Sequence, residues 1–582
     1  MLLKAPSSIG TLLLITTTVA VGSANAQPID RLSLPKLDVA LSRSVRDGES
    51  GSRQVIIRAT PDGLPAAAAA LRGRGHAVKR LHPLINGLEA NVPVAVLAGL
   101  SRLPFVASIS LDAVVTADQI ATSPYTLRAT LGLPGPTASS STQTGLHVGI
   151  AIIDSGVEAV PDLDNRIRGF YDFTQDGRAD TPSDAYGHGT HVAGLIAGSG
   201  DASQRRYRGV APKARLFALK VLDQDGAGKT GDVISAISFA VANKARLGID
   251  IINLSLGHPI YEPAETDPLV QAVEAAARAG IVVVASAGNH GTAPGSDTPG
   301  YAGILSPANA PSAIAVGAVK TFDTTIRSDD RIAAYSSRGP SWYDGFAKPD
   351  IVAPGHGLVS TAAQASTLFL NNPALRVGDS YLRLSGTSMA AAVVSGTAAL
   401  VLEAQRIAFP SGPSLTPNAV KAILQFTSFR VRDDLAREYD DLTQGAGVVN
   451  PVGAIDLAAH LDTSRPLSSW WLTTAVNPAT TIEGEVISWA EDIVWGNTAG
   501  TGPVIYIKER AWAENIVWGN DIVWGSDIVW GNNIVWGDSL IGVLEGTTIV
   551  WGMAAEDPAL TVWASLDPAA IWSSSILTSL GF

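Results

Sequence analysis

The stretch His147-Val148-Gly149-Ile150-Ala151-Ile152-Ile153-Asp154-Ser155-Gly156-Val157 decides the fold. From His147 to Asp154 it is apolar with no alternation, which predicts a strand buried on both faces. A carboxylate closes it, and a Ser-Gly turn follows. Similar runs recur at Asp250 to Leu254, Ile281 to Ala285 and Ala313 to Val319. Helical stretches such as Asp232 to Lys244 and Pro268 to Ala279 lie between them. Strands alternating with helices predict an α/β block whose mostly parallel sheet is covered on both faces. In such sheets ligands bind at the C-terminal strand ends, where Asp154 falls. Taken alone, Asp154 reads equally well as a turn cap.

Two further motifs lie downstream. Gly187-His188-Gly189-Thr190-His191-Val192-Ala193-Gly194 places a histidine between glycines at a helix start, where backbone can approach closely. His188 and His191 share a helix face. The HExxH spacing and its glutamate are absent, so no metal site is assigned and His191 is read as a packed residue. Ser385-Gly386-Thr387-Ser388-Met389-Ala390 precedes a small-residue helix running through Ala404. Ser388 falls at its N-terminus, where the helix dipole favours developing negative charge.

The three motifs occur in the order Asp, His, Ser, that of the subtilisin triad. On these residues the block from about Pro124 to His460 resembles the subtilases, subtilisin-like serine endopeptidases. The resemblance implies a three-layer sandwich, with Ser388 as nucleophile, His188 as general base and acid, and Asp154 orienting the imidazole. Ala287-Gly288-Asn289-His290-Gly291 is similar to the family's oxyanion motif, with the Asn289 amide and the Ser388 backbone N–H as donors. Ser255-Leu256-Gly257 resembles the edge that pairs with an extended peptide substrate. There Gly257 is expected to leave room for the P1 side chain, and Leu305 to Pro307 to line the pocket bottom. Ala392 and Val393 depart from the family's usual Pro and His, so altered helix packing is expected. No cofactor is implied for catalysis. Family members often bind structural calcium, but Asp201 alone makes no readable calcium loop.

Outward from this block, residues 1–26 read as an export signal. Lys4 is followed by an apolar run from Gly10 to Val21, too short for a membrane span of about 20 residues, and by the cleavage-like Ala24-Asn25-Ala26. Secretion is therefore expected, and no transmembrane anchor is evident. Residues 27–118 read as β-α-β-β-α-β, a small α+β ferredoxin-like unit. Its elements are Arg53 to Arg58, Leu64 to Gly73, Val78 to Ile85, Gly87 to Val92, Val94 to Leu103 and Val106 to Leu111. Beside a subtilase it resembles an inhibitory propeptide, the enzyme's own intramolecular partner. Ile109 to Ala117 is then expected in the cleft, with cleavage within Val114 to Pro124.

The catalytic block is expected over residues 119–460 and a Trp-rich β tail over 461–582. Of 13 Trp, twelve lie from Trp470 onward, and the tail has three Lys/Arg against fourteen Asp/Glu. Trp518, Trp524, Trp530 and Trp536 recur every six residues. Six is a multiple of the strand period and not of the helix period, so Ile-Val-Trp reads as a short strand and Gly-Asn as its turn, in a meander or a solenoid. Binding of a cell surface or glycan by this tail, with the protease as a processing module, is one alternative. A catalytically silent binding protein on the same fold is another. Composition narrows the rest. There are no cysteines, which excludes disulfides and thiol nucleophiles. Net charge is −12, so no basic field attracts nucleic acid.

Overall fold

The computed structural model describes residues 34, 36–46, 48–116, 127–134, 143–292, 298–322, 324–495, 498–501 and 505–515, and three short strands within 522–536. The expected signal segment, the stretch 117–126 and the chain beyond 536 lie outside the described residues.

The strand Gly149–Asp154 is buried at every position. It sits mid-sheet in the order Arg331–Ile332, Ile314–Lys320, Val282–Ser286, Ile249–Leu254, Gly149–Asp154, Arg215–Lys220, Ile167–Asp172, Arg178–Ala179. Ile351–Pro354 also pairs with Ile314–Lys320. All pairings are parallel except those of the short edge strands Arg331–Ile332 and Arg178–Ala179. The unbroken apolar pattern has a direct physical reading. Ile150 and Ile152 point into a core shared with the helices His188–Ala197 and Thr387–Ala408. Ala151 and Ile153 point into a second core shared with Thr230–Ala242 and Pro268–Arg278. Two cores on two sheet faces make the expected three layers. Each fully buried Ile or Val contributes roughly 1.5–3 kcal/mol.

Register brings the site together. Leu254 pairs with Ile153 on one side and Ala285 on the other. Asp154, Ser255 and the 287–289 segment therefore leave one edge of three adjacent strands, each about 5 Å from the next.

The N-terminal unit has its own core. Its sheet runs Val78–His82, Gly87–Pro93, Ser52–Ala59, Val106–Leu111, with every neighbour antiparallel. Helices Leu64–Gly73 and Val94–Ser101 connect these strands, and a first helix, Val39–Arg46, has no counterpart in the sequence reading. Ile56 and Ile85 are buried in the second core of the body. Among the described residues only Val114–Thr116 pairs with the body, antiparallel to Ala227–Lys229. The expectation that Ile109 to Ala117 occupies the cleft is corrected for its first three residues. Ile109, Ser110 and Leu111 pair with Ile57, Ile56 and Val55 inside the unit's own sheet.

His460 is not a boundary in the packing. Trp471, Ile482, Trp489, Ile493, Ile505 and Trp512 belong to the first core, continuous with the helix Thr387–Ala408. Trp489 lies against Gly453, where a Cβ would stand 2.8 Å from the indole. Thr480 Oγ1 accepts from both Asn450 Nδ2 and Trp489 Nε1 at 2.8 Å. The chain from 461 to 515 thus covers the helices Pro417–Phe426 and Pro451–Ala458. The composition changes at 460, but the apolar surface needing cover does not end there. Further on, Ile522–Trp524, Ile528–Trp530 and Ile534–Trp536 pair antiparallel in sequence order, the pairing of a meander.

Candidate active site

Asp154 is the last residue of its strand and His188 the first of its helix. Gly187 before it holds φ +102°, a conformation glycine adopts without strain. Gly189 is equally constrained, since a Cβ there would stand 2.0 Å from the Gly156 carbonyl oxygen. These glycines let the helix start close on the strand end. His188 Nδ1 then lies 2.8 and 2.9 Å from the two Asp154 carboxylate oxygens, both side chains fully buried. With Nδ1–H donated to Asp154, the neutral ring presents Nε2 as its basic atom.

Asp184 joins these two elements, a role the sequence reading missed. Its Oδ1 accepts from Ser155 Oγ at 2.8 Å and Gly187 N at 2.7 Å. Its Oδ2 accepts from Thr190 N at 2.8 Å and Thr190 Oγ1 at 2.6 Å. Burial raises its carboxyl while these donors oppose the shift. The available signal was its place just ahead of a helix N-terminus, where free N–H groups seek an acceptor.

Ser388 is the second residue of the helix Thr387–Ala408. Its hydroxyl donates to the Ser255 carbonyl at 3.1 Å. Ser255 Oγ donates to the Ser388 carbonyl at 3.0 Å and accepts from Asn253 Nδ2 at 2.9 Å. Ser395 Oγ donates to Asn253 Oδ1 at 2.9 Å. Ser255 therefore supports the Ser388 turn directly, while the Leu256 side chain is in the second core. Asn253 and Ser395 complete the thread; their motif-free positions gave no sequence signal. Ala392 and Val393 are fully buried in the nucleophile helix.

Asn289 faces the same turn. Its Oδ1 accepts from Thr387 N at 3.0 Å and Thr387 Oγ1 at 3.2 Å. A backbone N–H can only meet the oxygen, so the amide orientation is assigned and Nδ2 is the outward donor. That nitrogen is buried and meets no acceptor among the described residues.

His191 stands apart from this chemistry. Its Nε2 lies 3.2 Å from the Leu358 carbonyl and 3.1 Å from that of Leu382, and burial pulls the ring down to about 3. It is a packed neutral residue. Among the described residues no group of three or more His, Asp or Glu is placed to hold a metal. The expected opening at Gly257 is corrected. A Cβ there would stand 2.8 Å from the Ser306 oxygen and 3.1 Å from Leu305 Cβ, because Leu305 fills the space.

An imidazole oriented by a carboxylate and a serine hydroxyl at the positive end of a helix are the equipment of acyl transfer by a serine hydrolase. A model of the subtilase family matches residues 145–447, slightly more than half the chain. The serine protease AprX of Bacillus subtilis (strain 168) is 39% identical over 322 residues, covering 54% of this chain and 68% of that protein. Subtilisin E of Bacillus subtilis (strain 168) is 34% identical over 331 residues, covering 56% and 74%. The crystal structure of fervidolysin from Fervidobacterium pennivorans superposes with a TM-score of 0.53, at 22% identity over 71% of this chain and 62% of that one, a likeness of fold alone. The chain belongs to the subtilase family and is a subtilisin-like serine endopeptidase.

Proposed function

We propose that the chain is a secreted serine endopeptidase precursor, held inactive by its N-terminal unit, that cleaves extended peptide segments through an acyl-enzyme on Ser388. The Asp154–His188 contact carries this reading. His188 Nε2 takes the Ser388 proton as Oγ attacks the scissile carbonyl, and Asp154 stabilises the imidazolium that forms. The proton then passes to the leaving amine, and water repeats the sequence to free the acyl group. Asn289 Nδ2 and the Ser388 backbone N–H receive the oxyanion. The nucleophile, base and donors all come from the chain's own residues, so no cofactor enters a step.

The maturation reading rests on two packing observations. Val114–Thr116 lies along Ala227–Lys229 as an added strand, while Leu127, Leu131 and Leu133 are built into the first core of the body. Arg128 is buried there too, donating to the carbonyls of Pro134, Gly209 and Val210. These observations support a cut between prodomain and enzyme within 117–126. Export rests on the signal-like residues 1–26. The test compares wild type with Ser388→Ala using a fluorophosphonate probe and N-terminal sequencing of the product. Labelling of wild type alone, with a new N-terminus inside 117–126, is expected. A folded, unlabelled wild type, or a Ser388→Ala chain cut at the same place when pure, would overturn the proposal.

A further inference from the structure

We infer that Leu305 closes the bottom of the P1 pocket, so that the enzyme cleaves after short uncharged side chains and discriminates against aromatic ones. This rests on the protease reading and narrows its substrate class.

The position of the pocket follows from the site. The reacting carbonyl carbon must reach Ser388 Oγ while its oxygen reaches Asn289 Nδ2. Ser255 and Asn289 flank that point on the segments that follow two adjacent strands. The side chain of the residue being cleaved enters between those segments, toward Gly257 and Gly288. Both glycines would ordinarily open a deep slot. Here one side chain fills it from below. A Cβ on Gly257 would stand 3.1 Å from Leu305 Cβ and 3.4 Å from its Cδ1. A Cβ on Gly288 would stand 2.8 Å from Leu305 Cγ and 3.1 Å from Cδ1.

Leu305 is not free to leave. Its N–H donates to the Ala287 carbonyl at 3.1 Å, and Leu305–Ser306 pairs antiparallel with His258–Pro259. The side chain is buried at 3% exposure. The other nearest atoms to the two glycine Cβ positions are the Ser306 carbonyl oxygen and the Ser337 hydroxyl. With the apolar Leu305 they make this immediate lining uncharged, which disfavours a charged P1 side chain.

The experiment uses the mature enzyme, with active sites counted by a fluorophosphonate probe, on succinyl-Ala-Ala-Pro-X p-nitroanilides with X as Ala, Leu or Phe. Wild type should favour Ala over Phe by at least about tenfold in kcat/KM, within the roughly 10–200-fold that a hydrophobic pocket discriminates. Leu305→Ala should shift the Phe-to-Ala ratio of kcat/KM about tenfold or more toward Phe. Should Leu305→Ala fail to fold, the wild-type ranking still decides, and Leu305→Val should improve the Leu substrate. A labelled, active wild type that cleaves Phe as well as Ala overturns the inference alone, as does a Leu305→Ala enzyme with the wild-type ratio. A folded enzyme that neither labels nor cleaves casein overturns the protease reading and this inference with it.

Discussion

The side-chain oxygen of Asn289 accepts from the backbone N–H of Thr387 at 3.0 Å, the residue immediately before the nucleophile. This bond ties the proposed oxyanion donor to the helix that carries Ser388. Asn289→Ala should lower kcat by about 10²–10³ with a much smaller change in KM. Steady-state kinetics on a peptide p-nitroanilide checks it. An equal loss confined to KM would mean that Asn289 binds substrate rather than the transition state.

Asp184→Ala strands four donors: Ser155 Oγ, Gly187 N, Thr190 N and Thr190 Oγ1. A buried donor left unpaired costs about 1–3 kcal/mol, so the variant should lose at least about 3 kcal/mol of stability. Because the His188 helix hangs from this carboxylate, kcat should also fall in whatever fraction stays folded. Denaturant melts of the inactive Ser388→Ala background, with and without Asp184→Ala, measure the first effect free of self-digestion.

Truncation separates composition from structure. A chain ending at His460 exposes the surface that Trp471, Trp489 and Trp512 cover, and should not accumulate as active enzyme. A chain ending at Asn515 keeps that cover and should fold and cleave normally. Trp489→Ala in the full chain should cost about 3–5 kcal/mol, as for other buried Trp truncations. Active protease from the His460 truncation would show that the cover is dispensable.

The grip of the N-terminal unit should depend on pH. Asp112 Oδ1 accepts from Gly231 N at 2.8 Å, at the start of the helix Thr230–Ala242. Burial pushes its carboxyl up to about 6, with the Gly231 N–H opposing. A raised carboxyl is favoured in its protonated form, so this stabilisation is full below the ordinary value of 3.8 and is lost as pH rises through about 6. Asp38, pushed by burial to about 6, acts in the same direction. Glu89 beside Gly231 does not titrate in this window. Burial pushes it up, but His82, Lys79 and Arg80 bring it down to about 2. The cut N-terminal unit should co-elute with the body at pH 5 and separate more readily at pH 8. Asp112→Asn should flatten that difference; identical pH profiles for the two proteins would rule Asp112 out as its source.

Much of the site was legible because its chemistry is local. Asp154 after an unbroken apolar strand, His188 between glycines and Ser388 before a small-residue helix each carry a short-range signature. The sheet strands of the N-terminal unit and its helix Leu64–Gly73 were legible for the same reason. Asp184, Asn253 and Ser395 were not, since each matters only through partners contributed by other elements. Leu305 was named as pocket lining, but nothing along the chain shows that its side chain takes the space beside Gly257.

By itself, then, the sequence placed the candidate catalytic groups on their strand and helix ends, because hydrophobic period and turn residues act over a few positions. Only the tertiary structure showed that the first core continues past His460 and that Leu305 packs beside Gly257. The Trp-rich chain from 461 to 515 is compositionally foreign to the body yet completes its core, and a leucine some fifty residues from Gly257 fills the slot beside it. Packing of that kind is set by which surfaces meet in space, and no local pattern records it.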